Sequence, residues 1–449
     1  MKKTLLILTM VVILCFQQVY ATPTQNTNLL QNSETIFIEN DSANPPNVQN
    51  SDAALLVDMD SGRLLYGKNI DKRVFPASTT KIMTGILAIE LGNLEEIVTA
   101  SGEALAPITM YDSQMGLRVG EKLSLEQLVN ALLIPSANDA ANVIAVHIAG
   151  SMDAFVAIMN QKAKELGMND THFVNTCGMH DDNHYTTAKD LSTLAQYAMK
   201  NETFRNIVKK STYIIPMTNK CPYDRVLSST NLFLSSEFHN NPLCTGIKTG
   251  HTSKAGYCLV SSAQNEGINL LSVVMGCENE DLQSKAYSYT NSKSLYDFGF
   301  NNYENKTIAA PGDIIYNPEV YEAKEKNTVN LTVDTPINAL VSKVDAEEIE
   351  AKFNLPEQIS APITAGSVLG TVTYSYKGTL LGIANLVATN DVERNELLHI
   401  IHIITKIVLN PFFFVPAIII LLIILIRNRN RRRRQRRRNR YISTNYRYR

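Results

Sequence analysis

Apolar residues recur along this chain with changing period, and the changes divide it. Leu5 to Phe16 is an apolar stretch behind Lys2 and Lys3, too short to span a bilayer. Val19-Tyr20-Ala21 then offers small residues at −3 and −1. The pattern predicts a cleaved secretory signal over residues 1–21. Residues 22–50 are rich in Asn, Thr, Ser and Pro without apolar period, and read as a disordered linker. Ala53 to Val57 is a continuous apolar run, a buried strand, with a turn at Asp60-Ser61-Gly62 and a returning strand at Arg63 to Tyr66.

From Ser78 to Leu91 the apolar positions take helical spacing, which Gly92 stops. Helical texture continues to about Lys210, with Phe155, Ile158, Met159 and Ala163 on one face. Strand character returns at Thr245 to Lys248. Tyr257–Ala263 and Leu270–Met275 then pair across Asn265-Glu266-Gly267, and a helix is predicted from Asp281 to Phe298. Strands flanking a helical insert predict an α/β fold of the α+β kind over residues 51–300, a sheet with helices packed on it. Residues 301–390 change again to short strands between Pro and Gly turns, such as Val329–Val333 and Val368–Val372. They predict a small β-rich domain.

Ile407 to Ile426 carries no charge and, as a helix, would be about 30 Å long, the thickness of the hydrocarbon core. A transmembrane helix is expected at 407–426, with Pro411 and Pro416 tolerated inside it. Residues 427–449 hold twelve Arg and no acid. Basic flanks mark the cytoplasmic side, so the expectation is a single-pass cell-membrane protein with its body outside and a basic cytoplasmic tail.

That tail changes the reading of charge. The formal net charge is −1, but without the twelve tail arginines 30 basic residues face 43 acidic ones. A body this acidic is unsuited to nucleic acid, so no nucleic-acid partner is expected. The tail reads as an anchor on anionic lipid of the plasma membrane. Of six cysteines, Cys15 leaves with the signal. No C-x-x-C pair is present, so neither a zinc site nor any other metal or cofactor is expected.

Three short motifs carry candidate chemistry. Ser78-Thr79-Thr80-Lys81 is the chain's single Ser-x-x-Lys, Ser136-Ala137-Asn138 follows, and Lys248-Thr249-Gly250 is its single Lys-Thr-Gly. Residues i and i+3 share a helical face, so Lys81 can reach the Ser78 hydroxyl. A buried Lys loses solvation and becomes a base. Ser136, in a loop between the predicted helices 125–133 and 140–149, can relay a proton to a leaving amine. Asn138 can hold Lys81 and a substrate amide, or cap a helix. Lys248 and Thr249, at the end of a strand, suit a terminal carboxylate, and a strand edge suits an extended peptide. Gly250 removes a side chain where substrate must come close. The N–H groups of Ser78 and His251 then form an oxyanion hole.

These motifs resemble those of the penicillin-binding and β-lactamase serine acyltransferases. More closely, the chain resembles the low-molecular-weight penicillin-binding proteins that are D-alanyl-D-alanine carboxypeptidases. The resemblance rests on Pro76–Lys81, Ser136–Ala140, Met159-Asn160, Leu166–Met168 and Thr245–Thr252, covers about Ser51 to Phe300, and continues weakly to about Thr389. It implies a β-lactamase/transpeptidase-like antiparallel sheet with a helical subdomain. It implies catalysis by Ser78, Lys81 and Ser136, and substrate binding by Asn138, Lys248, Thr249, Gly250 and His251. The partners implied are the peptidoglycan stem pentapeptide, which loses its terminal D-Ala through an acyl-Ser78, and β-lactam antibiotics as covalent inhibitors. A D,D-endopeptidase or transpeptidase, a β-lactamase and a non-catalytic wall-binding scaffold stay open as rivals. Glu165 reads as a solvated helix residue rather than a deacylating group, and His184 as structural.

Overall fold

The computed structural model describes residues 36–38, 44–235, 241–278, 284–325, 327–343, 349–376, 378–408 and 410–445. The expected signal segment lies outside them.

One sheet organises the first part of the chain. Its strands are β1 (Ile36–Ile38), β2 (Ala53–Asp58), β3 (Leu64–Lys68), β4 (Cys244–Thr252), β5 (Gly256–Asn265) and β6 (Ile268–Cys277), in the order β1-β3-β2-β6-β5-β4 and antiparallel throughout. Both faces are covered, which is why β2 is an unbroken apolar run with every residue buried. Leu55 and Val57 join one apolar cluster with the inserted helices, while Ala54 and Leu56 join another on the opposite face. In the β5–β6 hairpin Glu266 and Gly267 both take positive φ, 47° and 80°, as a tight turn matched to strand twist requires. β1 falls inside the expected linker. Ile36 pairs with Lys68, and Asn47 donates to Ser294, so part of that segment is built into the fold.

The insert contains α1 (Lys81–Leu91), α2 (Leu125–Leu133), α3 (Asn138–Ala149), α4 (Met152–Glu165), α5 (Ala188–Lys200) and α6 (Glu202–Val208). Ser124 and Gln127 form a capping box at the start of α2, and Gly150 ends α3 with φ +80°. The opposite face is covered by α7 (Ser284–Asn302), whose Tyr289, Leu295 and Tyr296 fill the second cluster.

The β-rich part has its own apolar cluster, including Val329, Leu331, Val372 and Leu386. It comprises β7 (Tyr303–Ala309), β8 (Leu331–Val333), β9 (Ile337–Ser342), β10 (Ile349–Asn354), β11 (Val368–Tyr376) and β12 (Thr379–Ala388). β7 pairs with β9, and the other four form a sheet in the order β8-β12-β11-β10. Buried Arg63, from the turn before β3, joins the two parts. Its guanidinium donates to the Leu340 carbonyl and lies 5.3 Å from the Tyr376 ring centroid.

The C-terminal helices differ from the expected 407–426 span. One helix, α8 (Glu396–Val408), ends at the start of that span, and a second, α9 (Pro411–Asn445), continues into the arginine tail. Pro411 lacks an N–H and clashes with a preceding helical turn, so the helix restarts there. The apolar part of α9, Pro411 to Ile426, is about 24 Å long, short of a hydrocarbon core. Among the described residues no single helix is long and apolar enough to cross a membrane.

Candidate active site

The nucleophile's local structure departs from the expected helix. Ala77–Thr80 is a 3₁₀ turn, and the α-helix begins only at Lys81. With three residues per turn, positions i and i+3 eclipse in a 3₁₀ turn, which aligns Ser78 with Lys81 more directly than an α-helix would. Lys81 Nζ lies 2.8 Å from Ser78 Oγ and donates to the Cys177 carbonyl, also at 2.8 Å. Lys81 has no exposed surface, and burial pushes its pKa down to about 8. As an ammonium Nζ donates to Ser78 Oγ; as a neutral amine it accepts the hydroxyl proton.

The Ser78 side of the site is a cavity of about 210 Å³. It gathers Ser78, Ser136, Thr249, Gly250 and His251 from the predicted set, and adds Ser113, Thr230, Tyr257, Cys258, Ser288 and Tyr289. A larger cavity of about 640 Å³, between the strand ends at Met59 and Thr245 and helices α5 and α6, contains none of the predicted groups.

Ser136 has φ +69°, a conformation unusual for any residue but Gly and Asn, and its buried Oγ has no hydrogen-bond partner among the described residues. Asn138 Oδ1 is likewise buried without a partner, while its amide nitrogen lies 3.6 Å from Met179 Sδ. Such orphans belong to a site built for a polar ligand. Two expectations for Asn138 are corrected. It is the first residue of α3 rather than its cap, which is Ala137, and Lys81 is held by the Cys177 carbonyl in its place.

Strand β4, at the sheet edge, supplies the opposite wall. Thr249 reaches the cavity and its Oγ1 lies 2.6 Å from Thr230 Oγ1. Lys248, 1 % exposed, lies on the face of the strand toward the helical insert and Lys81 and donates to the Thr249 carbonyl. Burial, then the nearby Lys81 charge, push its pKa well down. A Cβ on Gly250 would meet Pro76 O at 3.0 Å and Ser78 N at 3.1 Å. The missing side chain therefore makes room for the nucleophile's own turn, not only for substrate. The His251 ring stacks on Tyr257, centroids 4.2 Å apart.

Backbone and supporting groups complete the site. Asn175 Oδ1 accepts the N–H groups of Cys177, Gly178 and Met179, shaping the loop whose carbonyl grips Lys81. Buried Asp139 accepts N–H groups from Met115, Gly116 and Leu117, and the Ser113 carbonyl accepts from Asn138 N. His184, 2 % exposed and pushed down to about pKa 4 by burial, uses Nε2 on Thr80 Oγ1 and accepts at Nδ1 from Val174 N–H. That is a neutral ring bracing the Ser-x-x-Lys turn. Glu165 closes α4 on Gln161 and Lys162, outside the cavity. Among the described residues no His, Cys, Asp or Glu side chains cluster as metal ligands, and Cys177, Cys221, Cys244, Cys258 and Cys277 are free and buried.

The arrangement fits comparison with known proteins. The D-alanyl-D-alanine carboxypeptidase family profile matches residues 39–279, and the profile of the penicillin-binding protein 5 C-terminal domain matches residues 303–394. The chain is 31 % identical over 348 residues to the D-alanyl-D-alanine carboxypeptidase DacF of Bacillus subtilis, covering 76 % of this chain and 86 % of that one. The crystal structure of penicillin-binding protein 5 from Haemophilus influenzae is similar with TM-score 0.61 and 29 % identity, over 78 % of this chain and all of that one. The Streptomyces K15 DD-transpeptidase is similar with TM-score 0.53 and 29 % identity, over 58 % of this chain and all of that one.

Proposed function

The chain belongs to the D-alanyl-D-alanine carboxypeptidase family and is a serine-type hydrolase of that activity; from that premise we propose how its own residues perform the reaction. The observation that carries the reading is the 2.8 Å contact between a fully buried Lys81 amine and Ser78 Oγ.

Neutral Lys81 takes the Ser78 hydroxyl proton as Oγ bonds to the carbonyl carbon of the penultimate D-Ala. The Ser78 and His251 N–H groups receive the developing oxyanion. When the C–N bond breaks, the leaving D-Ala amine takes a proton from the Ser136 hydroxyl, which recovers one from Lys81. Asn138 holds a substrate amide. Thr249 receives the terminal carboxylate, with Lys248 beside it on the Lys81 side of the strand. Water then attacks the acyl-Ser78 ester, giving its proton back through Lys81, and Ser78 leaves as the free hydroxyl. Penicillin enters the same sequence as an acylating amide. The test is mass analysis after incubating the full-length protein with a pentapeptide ending in D-Ala-D-Ala. Loss of one D-Ala is expected; an intact peptide, or cleavage at any other bond, rejects the reading.

We also propose that α8 and α9 together attach the protein to the cell membrane, the apolar residues of both making up the thickness that α9 alone falls short of, with the catalytic part outside and the arginine tail cytoplasmic. Leu397, Ile400, Ile401 and Ile404 on α8, and Ile418 to Ile426 on α9, are exposed apolar surface, which lipid would cover. Resistance of the full-length protein to carbonate extraction is expected, and release by salt alone refutes the attachment.

A further inference from the structure

Thr230 bonds to three walls of the cavity at once. Its N–H donates to the Ile134 carbonyl, two residues before Ser136. Its own carbonyl accepts from the Tyr289 hydroxyl on α7 at 3.3 Å. Its side-chain hydroxyl meets Thr249 Oγ1 at 2.6 Å, and both threonines line the same cavity as Ser78. The Tyr289 oxygen also accepts the Leu232 N–H at 3.0 Å, so the strap on either side of Thr230 is held to α7.

Two hydroxyls carry two protons, and the contact between them consumes one. Whichever oxygen donates within the pair, one O–H remains to donate into the cavity. With its backbone fixed at both N–H and carbonyl, Thr230 cannot swing away when substrate arrives. Lys248 is buried on the strand face toward Lys81, donates to the Thr249 carbonyl and does not line this cavity. Thr230 and Thr249 therefore present hydroxyls, not a charge, to an anion in the cavity.

We propose that Thr230 is a specificity-determining residue: it forms with Thr249 a paired-hydroxyl cradle for the terminal carboxylate of the peptide substrate. The inference rests on the reading of Thr249 as carboxylate-binding. It adds a contact from a segment outside the three motifs.

The test compares kcat and KM of the full-length protein on a D-Ala-D-Ala peptide and on the same peptide with its terminus amidated, for wild type, Thr230→Val and Thr230→Ser. Wild type prefers the free acid. Thr230→Val keeps the shape and loses the hydroxyl, so its kcat/KM for the free acid falls about 10- to 100-fold, the size of a hydrogen bond to a charged group. The fall lies mostly in KM. The amidated peptide is little changed, and Thr230→Ser restores the preference. Thr230 is only half-buried, so Thr230→Ala carries the same test if the valine variant does not fold. A wild type with no preference for the acid overturns the Thr249 reading beneath the proposal. A wild type that prefers the acid, with Thr230→Val or Thr230→Ala preferring it equally, overturns the Thr230 assignment alone. Equal loss on both peptides with a lowered Tm also overturns it, since that is the behaviour of a merely structural residue.

Discussion

Gly178 lies directly against Ala77: a Cβ on Gly178 would sit 1.8 Å from the Ala77 carbonyl oxygen and 2.9 Å from the Ser78 nitrogen. Both residues have positive φ, +87° and +48°, so the loop carrying the Cys177 carbonyl and the turn carrying the nucleophile are pressed together backbone to backbone. Gly178→Ala must separate them and also strain its own backbone. A stability loss of about 2–4 kcal/mol is expected, as for other substitutions at strained, crowded positions. Acylation of Ser78 by penicillin should fall by at least tenfold, because a one-ångström misplacement of reacting groups costs about 100-fold. Thermal melting and acylation kinetics check this; an unchanged rate removes the contact from the machinery.

The Lys81 base has a defined pH signature. Burial lowers its pKa from 10.5 to about 8, and the neutral amine is the reactive form. The acylation rate constant should rise with pH, reach half its plateau near 8 and level off above it. The sign for stability is the same. The folded state binds fewer protons here than the unfolded chain, so the cost of burying this ammonium is fully present below about 8 and fades as pH rises toward 10.5. Stopped-flow acylation across this range checks the first statement, and a rate that is flat or falls with pH contradicts it.

Asp139 should prove as important to the site's shape as residues that touch substrate. Its carboxylate collects the N–H groups of Met115, Gly116 and Leu117, and the segment holding Ser113 and Asn138 is pinned through them. Asp139→Ala leaves those donors without their acceptor and should cost about 3 kcal/mol or more. Denaturant unfolding measures the loss, and a change within about 0.5 kcal/mol, the range of a surface substitution, would contradict the account.

Arg63 predicts how the two folded parts depend on each other. Its guanidinium is buried at their junction, on the Leu340 carbonyl and near the Tyr303 and Tyr376 rings. Arg63→Ala should make the β-rich part melt separately from the catalytic part in calorimetry, while D-Ala release stays near the wild-type rate. A single unaltered transition would show that Arg63 does not couple them.

The sequence carried most of this site because its chemistry sits in contiguous motifs. Ser-x-x-Lys and Lys-Thr-Gly place a nucleophile with its base, and a hydroxyl on an edge strand, by local geometry alone. The alternation of Ala54 and Leu56 with Leu55 and Val57 was hidden within one apolar run, since a strand covered on both faces has no polar side to show. That the Cys177 carbonyl holds Lys81 was not legible, because any residue supplies a carbonyl and only the Asn175 loop aims this one. Thr230 was missed because nothing local marks a threonine brought to Thr249 by folding. At the C-terminus, apolar content suggested one span, and Pro411 divided it.

The most direct measurement of the central claim is mass mapping of the penicillin adduct on the full-length protein, beside Ser78→Ala. One adduct is expected, on the peptide containing Ser78, and none on the alanine variant in a folded state. An adduct on another residue, or one that survives Ser78→Ala, would contradict that claim.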